Sequence, residues 1–232
     1  MDMQYYAFYQ VPYVFVFNLQ FITALIFIGS LIATYWLFSR HEFTFRYFNV
    51  DFKNKPYRIL VFNLALILGY ILPLVEINYQ MNGYFTNWGT NMFFKYAYHM
   101  LYTSALLYIL HKKNNLQRWG NILIVFNMLV YILLAYRLPI YEKEEAFYGP
   151  MNFPYAFNFH YLSLALLLYQ VWLYVKNHIF EALDSLTIKS FAPWFVAFFI
   201  TYMLSVETNT VFLFQTANWE EFYMQKKFVI KV

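Results

Sequence analysis

Residues 191–214, FAPWFVAFFITYMLSVETNTVFLF, form a long apolar stretch that contains a single carboxylate, Glu207. A membrane-spanning helix needs about 20 mostly apolar residues, so this stretch is long enough to cross the hydrocarbon core of a bilayer. Comparable apolar stretches recur along the chain, separated by short segments that carry most of the charge. The pattern predicts a protein that crosses a lipid bilayer several times.

Six apolar stretches meet or approach this length. They cover residues 14–38, 57–75, 93–110, 122–136, 157–175 and 191–214. The predicted fold is therefore an all-α, polytopic transmembrane helical bundle with about six spanning helices, forming one integral membrane domain over residues 1–232. Residues 228–232 resemble the start of another apolar stretch. We therefore expect the chain to be a fragment of a longer protein, with that protein's further helices as partners.

The composition favours a membrane protein. The chain is 62% hydrophobic, 25% aromatic and 12% charged, whereas a soluble domain has about 25% charged residues. Lys and Arg in cytoplasmic loops account for the net charge of +4. They form no continuous stripe along which a phosphate backbone could bind, so the expected partner is the lipid bilayer and not a nucleic acid. The absence of cysteine excludes disulfides, thiolate nucleophiles and cysteine-bound metals.

The distribution of basic residues predicts the orientation of the chain. The five predicted loops are residues 39–56, 77–92, 111–121, 137–156 and 176–190. The first, third and fifth hold most of the loop Lys and Arg residues, namely Arg40, Arg46, Lys53, Lys55, Lys112, Lys113, Arg118, Lys176 and Lys189. Because Lys and Arg accumulate in cytoplasmic loops, we expect these three loops inside and the N-terminus outside. Three lysines of the C-terminal tail would then lie outside, against the same rule.

Four ionisable residues lie in the predicted outer halves of the helices: Glu76, His99, His160 and Glu207. An ionisable group inside a membrane helix usually faces the bundle interior or a water-filled cavity. The hypothesis is that the four line one polar pocket open to the outer side. Such a set could relay protons, hold a metal, or bind a cationic or sugar-like group. The alternative is that each reaches headgroups or water; it is favoured for Glu76, balanced for the histidines and disfavoured for Glu207.

The remaining polar residues and the motifs narrow the hypotheses only slightly. No phosphate-binding glycine loop, paired-histidine zinc helix or nucleophile elbow occurs, so no metal site is predicted, and catalytic residues and cofactors stay undetermined. Three amide residues are predicted to make interhelical hydrogen bonds: Asn63, Asn127 and Gln170. An acidic group is interpreted as part of a solvated loop, with cation capture as the minor alternative: Glu142, Glu144 and Glu145.

Three short segments suggest a family. EINYQ at 76–80, FHYLS at 159–163 and LSVE at 204–207 together resemble segments of large bacterial membrane proteins that have many spans and form a family of unknown function. The resemblance implies a location in the bacterial inner membrane. It brings no catalytic residues that could be assigned to positions in this sequence.

These observations leave three classes of function. The leading one is a multi-pass membrane protein that handles a substrate or ion from the outer side, in transport or envelope assembly. The second is a membrane-embedded enzyme that acts on a lipid-linked substrate, with Glu207 or a histidine as the acid or base. The third is a structural membrane component. Transport predicts polar residues that continue towards the cytoplasmic side, and an enzyme predicts Glu and His converging in a one-sided pocket.

Overall fold

The computed structural model describes residues 19–40, 44–47, 50–84, 88–111, 117–148, 156–176, 186–215, 220–221 and 223–224. The chain divides into two compact units, Met1–Tyr84 and Phe85–Val232, where the sequence predicts a single domain. Apart from one short hairpin, the regular elements among the described residues are helical. The predicted all-α fold class is therefore confirmed.

The first unit consists of two long helices joined by a β-hairpin. Its elements are α1 (Leu19–Arg40), β1 (Thr44–Tyr47), β2 (Val50–Lys53) and α2 (Asn54–Tyr84). The strands pair antiparallel, with Thr44 opposite Lys53. The two helices pack through aromatic contacts, in which the ring of Tyr35 lies 5.1 Å from that of Phe62. Most of the apolar surface of α1 and α2 stays exposed within the unit, as expected of helices that face lipid.

The second unit is a bundle of helices around an apolar core. Its elements are α3 (Trp88–His111), α4 (Gln117–Leu133), a 3₁₀ turn (Ala135–Arg137), α5 (Leu138–Tyr148), α6 (Ala156–Lys176) and α7 (Leu186–Gln215). On α3, buried residues recur every three or four positions, at Phe93, Met100 and Leu107 among others. This spacing places them on one helical face. That face packs along α6 and against α4, so α3 lies at the centre of the contacts within the unit.

Four helical segments among the described residues are long and apolar enough to span a membrane. They are Phe21–Arg40, Lys55–Asn82, Trp119–Glu144 and Phe191–Leu213. The prediction of about six spans is therefore slightly too high by this criterion. Helices α3 and α6, with 24 and 21 residues, are long enough, but they contain more polar and tyrosine residues. Several of these polar side chains are buried where the two helices pack together.

Three of the predicted loops contain regular structure. The predicted loop 39–56 includes the hairpin, and much of 77–92 is helical because α2 runs to Tyr84 and α3 begins at Trp88. The predicted loop 137–156 was wrong over most of its length, since α5 covers Leu138–Tyr148. The Gly149–Pro150 pair follows α5 directly, so the turn signal marks where the helix ends. The N-terminal segment 1–18 and the tail's final residues 225–232 lie outside the described residues.

Candidate functional site

The four residues of the predicted pocket lie on four different helices. Glu207, His160 and His99 belong to α7, α6 and α3 of the second unit, whereas Glu76 belongs to α2 of the first. Glu76 accepts a hydrogen bond from the side-chain amide of Gln80, one turn further along α2, at 2.5 Å. The structure therefore brings Glu207 and His160 together, and it places His99 in a neighbouring network of the same unit.

Glu207 and His160 form a buried acid–base pair. The Nε2 atom of His160 lies 3.0 Å from both carboxylate oxygens of Glu207. A third bond comes from the hydroxyl of Tyr131 on α4, which donates to Oε1 of Glu207 at 2.5 Å. His160 is 1% exposed and the Glu207 side chain 13% exposed. Helices α4, α6 and α7 are thus joined through one carboxylate.

The contacts of this pair are short enough for proton transfer between its two members. A single proton shared between Nε2 of His160 and the Glu207 carboxylate gives either an imidazolium–carboxylate pair or a neutral imidazole beside a carboxylic acid. Both forms keep the 3.0 Å contacts, so exchange between them needs little movement of heavy atoms. His and Glu are the side chains most often used for general acid–base work, and this geometry is within reach of it.

Aromatic side chains surround the pair. The ring of Phe93 meets that of His160 edge-on, with centroids 5.9 Å apart. The ring of Tyr161 lies 5.9 Å from that of His160, and Tyr96 is one turn beyond Phe93 on α3. Low local polarity strengthens the hydrogen bonds within such a cluster.

His99 belongs to a hydrogen-bond network that crosses from α3 to α4 and α6. Its Nε2 lies 3.0 Å from Oδ1 of Asn127. The amide nitrogen of Asn127 donates to Oε1 of Gln170 at 2.7 Å and to the hydroxyl of Thr103 at 3.1 Å. The amide nitrogen of Gln170 donates to the hydroxyls of Ser104 at 2.9 Å and of Thr103 at 3.2 Å. The predicted interhelical role is confirmed for Asn127 and Gln170, both fully buried.

The directions of these bonds assign a proton to His99. Both hydrogens of the Asn127 amide are used by Gln170 and Thr103, so its oxygen is left as the acceptor for His99. The Nε2 atom of His99 must then carry hydrogen, because a carbonyl oxygen can only accept. The ring of His99 stacks on that of Tyr96, with centroids 6.5 Å apart. Tyr96 therefore adjoins the His99 network.

A second buried carboxylate, Glu142, was misassigned to a solvated loop. On α5 it is 2% exposed, and its Oε1 accepts a hydrogen bond from Thr90 of α3 at 2.7 Å. The backbone of Glu142 crosses directly over Gly89, where an added Cβ would lie 3.0 Å from Cα of Glu142. Gly89 and Thr90 are in the first turn of α3, whose N-terminal end carries partial positive charge and stabilises a carboxylate. The neighbouring glycine and threonine on α3 are the only sequence signal that could have suggested this contact.

The third amide predicted to make an interhelical hydrogen bond, Asn63, and the missed residue Tyr131 complete the comparison with the sequence. Asn63 of α2 is exposed. Tyr131, which completes the Glu207 site, was missed because nothing in an apolar helix distinguishes it from a core tyrosine. Within the described residues no group of three or more His, Asp or Glu side chains is placed to hold a metal ion.

No family model, curated protein or solved structure matches the chain. The resemblance to large bacterial membrane proteins therefore stays a prediction. The class that the fold and the site define is a helical bundle with membrane-type helices and a buried Glu–His pair.

Proposed function

We propose that this chain is a multi-pass membrane protein that exchanges protons at the Glu207–His160 pair, and that the exchange drives transport of a substrate or ion across the bilayer. The observation that carries the proposal is the pair itself: both Glu207 oxygens lie 3.0 Å from His160 Nε2. The helical segment that contains Glu207 is one of the four with the length and composition of a membrane span.

The energetic argument favours a functional over a structural role. An ionisable residue within a membrane helix is costly, by about 2.5–3.5 kcal/mol even on the lenient insertion scales, and such residues mark ion pathways and proton relays. A purely structural role at this point could be filled by apolar side chains such as Leu167 and Phe199, which belong to the same core. The presence of a carboxylate, an imidazole and a phenol at one point is better explained by proton exchange than by a role in helix packing.

The polar groups next to the pair support transport. On α3, Tyr96, His99 and Thr103 follow one another at helical spacing and lead from Glu207 to Gln170. At 1.5 Å per residue, these positions span about 10 Å along the helix axis. Protons and small ions move between sites along such rows of polar groups, and a single packing contact would not need one.

The proposal is tested by proton flux into liposomes that contain the purified protein and a trapped pH-sensitive dye. A potassium gradient with valinomycin supplies the driving voltage. We expect flux with the wild type and loss of at least nine-tenths of it with Glu207→Gln, which keeps the size of the side chain and its capacity for hydrogen bonds but has no titratable group. Insertion should be unaffected. Equal flux with Glu207→Gln and wild type would contradict the proposal.

Glu142→Gln is the matched control. It changes the other buried carboxylate of the same unit in the same way, and the amide oxygen can still accept the bond from Thr90. Because the hydrogen bond described for the Glu142 side chain comes from a threonine, we expect flux close to that of the wild type. A loss of flux in both variants would indicate a general effect of removing buried charge.

One observation favours the membrane-embedded enzyme as a second candidate. His160 is near the start of α6 and Glu207 near the end of α7, so both sit at one end of an antiparallel pair. On α6 and α7 beyond Gln170, towards the other end, the buried residues that the structure describes are apolar or tyrosine, among them Val171, Val196 and Tyr174. A one-sided arrangement suits a site that acts on the head of a lipid-linked substrate, with His160 as base. The enzyme predicts no flux, and it predicts a lipid that accumulates in cells that carry Glu207→Gln, detectable by mass spectrometry.

We further propose that the membrane is the bacterial inner membrane and that the Glu207 end of the bundle faces outwards. The excess of Lys and Arg in the first, third and fifth predicted loops supports this orientation. The chain has no cysteine, so single cysteines can be introduced without altering a background thiol. A membrane-impermeant maleimide applied to intact cells should label Asn82→Cys and not Lys113→Cys. The reverse pattern would refute the orientation.

A further inference from the structure

Tyr96 has a buried hydroxyl for which the described residues supply no hydrogen-bond partner. The residue is 8% exposed, and its hydroxyl oxygen is fully buried. Leaving a buried polar group unsatisfied is costly, and such groups are usually bonded to protein or to ordered water. Tyr96 is one helical turn beyond Phe93 on α3, and the Phe93 ring contacts that of His160, so Tyr96 lies on the side of α3 that faces the Glu207–His160 pair.

Glu207 has capacity for one more hydrogen bond. A carboxylate accepts about four bonds. The described residues supply three, two from His160 and one from Tyr131. Two of them end on Oε1, so Oε2 is the oxygen with the spare position. A carboxylate oxygen with a free position and a buried hydroxyl without a partner among the described residues therefore lie in the same part of the bundle core.

We propose that Tyr96 and Glu207 hold a buried water molecule between them, and that this water carries protons to and from the carboxylate. Buried waters typically make two to four hydrogen bonds to groups that otherwise have none. Here the water donates to Oε2 of Glu207 and accepts from the Tyr96 hydroxyl. Binding of the water does not depend on the proposed proton exchange, whereas its role as a carrier rests on it.

The matched pair of variants is Tyr96→Phe and Tyr174→Phe. Each removes one phenolic oxygen from a tyrosine of the second unit that is at most 8% exposed. Tyr174 lies 14 residues beyond His160 on α6, which is about 21 Å along the helix axis. It therefore controls for the loss of a buried hydroxyl away from the site.

Two measurements on the full chain, purified in detergent, test the bound water. They are the difference between infrared spectra recorded in ordinary water and in H₂¹⁸O, and thermal unfolding. We expect a buried-water O–H band that shifts in H₂¹⁸O, is present in the wild type and in Tyr174→Phe, and is lost in Tyr96→Phe. We also expect Tyr96→Phe to lower Tm, because it removes a satisfied hydrogen bond. Persistence of the band in Tyr96→Phe would show that the water does not depend on Tyr96. A rise in Tm would show that the hydroxyl has no hydrogen-bond partner. Either result would overturn the proposal.

Liposome flux then tests the carrier role separately. Tyr96→Phe should reduce Glu207-dependent proton flux at least tenfold relative to Tyr174→Phe. A lost water band with unchanged flux would overturn the carrier role while leaving the water site in place. If the wild type shows no Glu207-dependent flux, the proposed proton exchange fails, and the infrared and Tm results still decide the water site.

Discussion

Replacing Asn127 by leucine should destabilise the second unit by about 2 kcal/mol. Its side chain makes three hydrogen bonds, to His99, Thr103 and Gln170, and it is fully buried. Interhelical hydrogen bonds in membrane proteins contribute about 0.6 kcal/mol each on average, which gives roughly 2 kcal/mol for three. Leucine has as many side-chain heavy atoms as asparagine and is larger, so the substitution leaves no cavity to which the loss could be attributed. Such a change shifts the unfolding equilibrium by roughly 30-fold.

The assay is equilibrium unfolding of the purified protein in mixed detergent–lipid micelles, followed by circular dichroism. Asn63→Leu is the matched control, because Asn63 is exposed on α2 and the same substitution there removes no buried hydrogen bond. We expect no loss of stability for this variant. The double variant Asn127→Leu/Gln170→Leu should be less destabilised than the sum of the single variants, since the two residues share a bond. Equal stability of Asn127→Leu and Asn63→Leu would refute the reasoning.

The remaining predictions concern the contact between α3 and α5. Gly89→Ala should destabilise the second unit by about 1–3 kcal/mol through overpacking, as measured by thermal unfolding. The added methyl would lie 2.7 Å from Oε2 of Glu142 and 3.0 Å from its Cα and N. Gly29→Ala on α1 is the control, since nothing lies within 4 Å of the added methyl, and it should stabilise by up to about 1 kcal/mol through helix propensity. Thr90→Val should lower stability by about 1.5–3 kcal/mol, because the Glu142 carboxylate loses its charge-assisted bond. A Thr90→Val variant as stable as the wild type would show that Glu142 is solvated.

The helical character of the chain could be predicted from the sequence because it depends on composition and length alone. An apolar stretch such as 191–214 has few alternatives to a helix in lipid, where every backbone group must be hydrogen-bonded within the segment. The place where α5 begins could not be predicted in this way. The acidic residues of 142–145 are typical of a solvated segment, and only packing against Gly89 makes Glu142 a buried residue.

The candidate site could be predicted only in part. The cost of an intramembrane carboxylate singles out Glu207, and position along the helices suggests His160 as a partner at similar depth. The placement of His99 with Asn127 depends on how far α3 is rotated about its axis, and helical spacing within one segment does not determine that. Tyr131 illustrates the same limit, since its role depends on the hydroxyl's direction towards α7.

The hydrogen bonds of Gln170 have a consequence for how the protein is made. Gln170 donates to Ser104, which precedes it by 66 residues. At a synthesis rate of about 5–20 residues per second, Ser104 leaves the ribosome roughly 3–13 s before its partner. Thr103 can bond to the carbonyl of His99 within α3 during this interval, but the completed network requires α6. We therefore expect α3 to settle in its final position late in biogenesis, after α6 has emerged and can enter the membrane beside it.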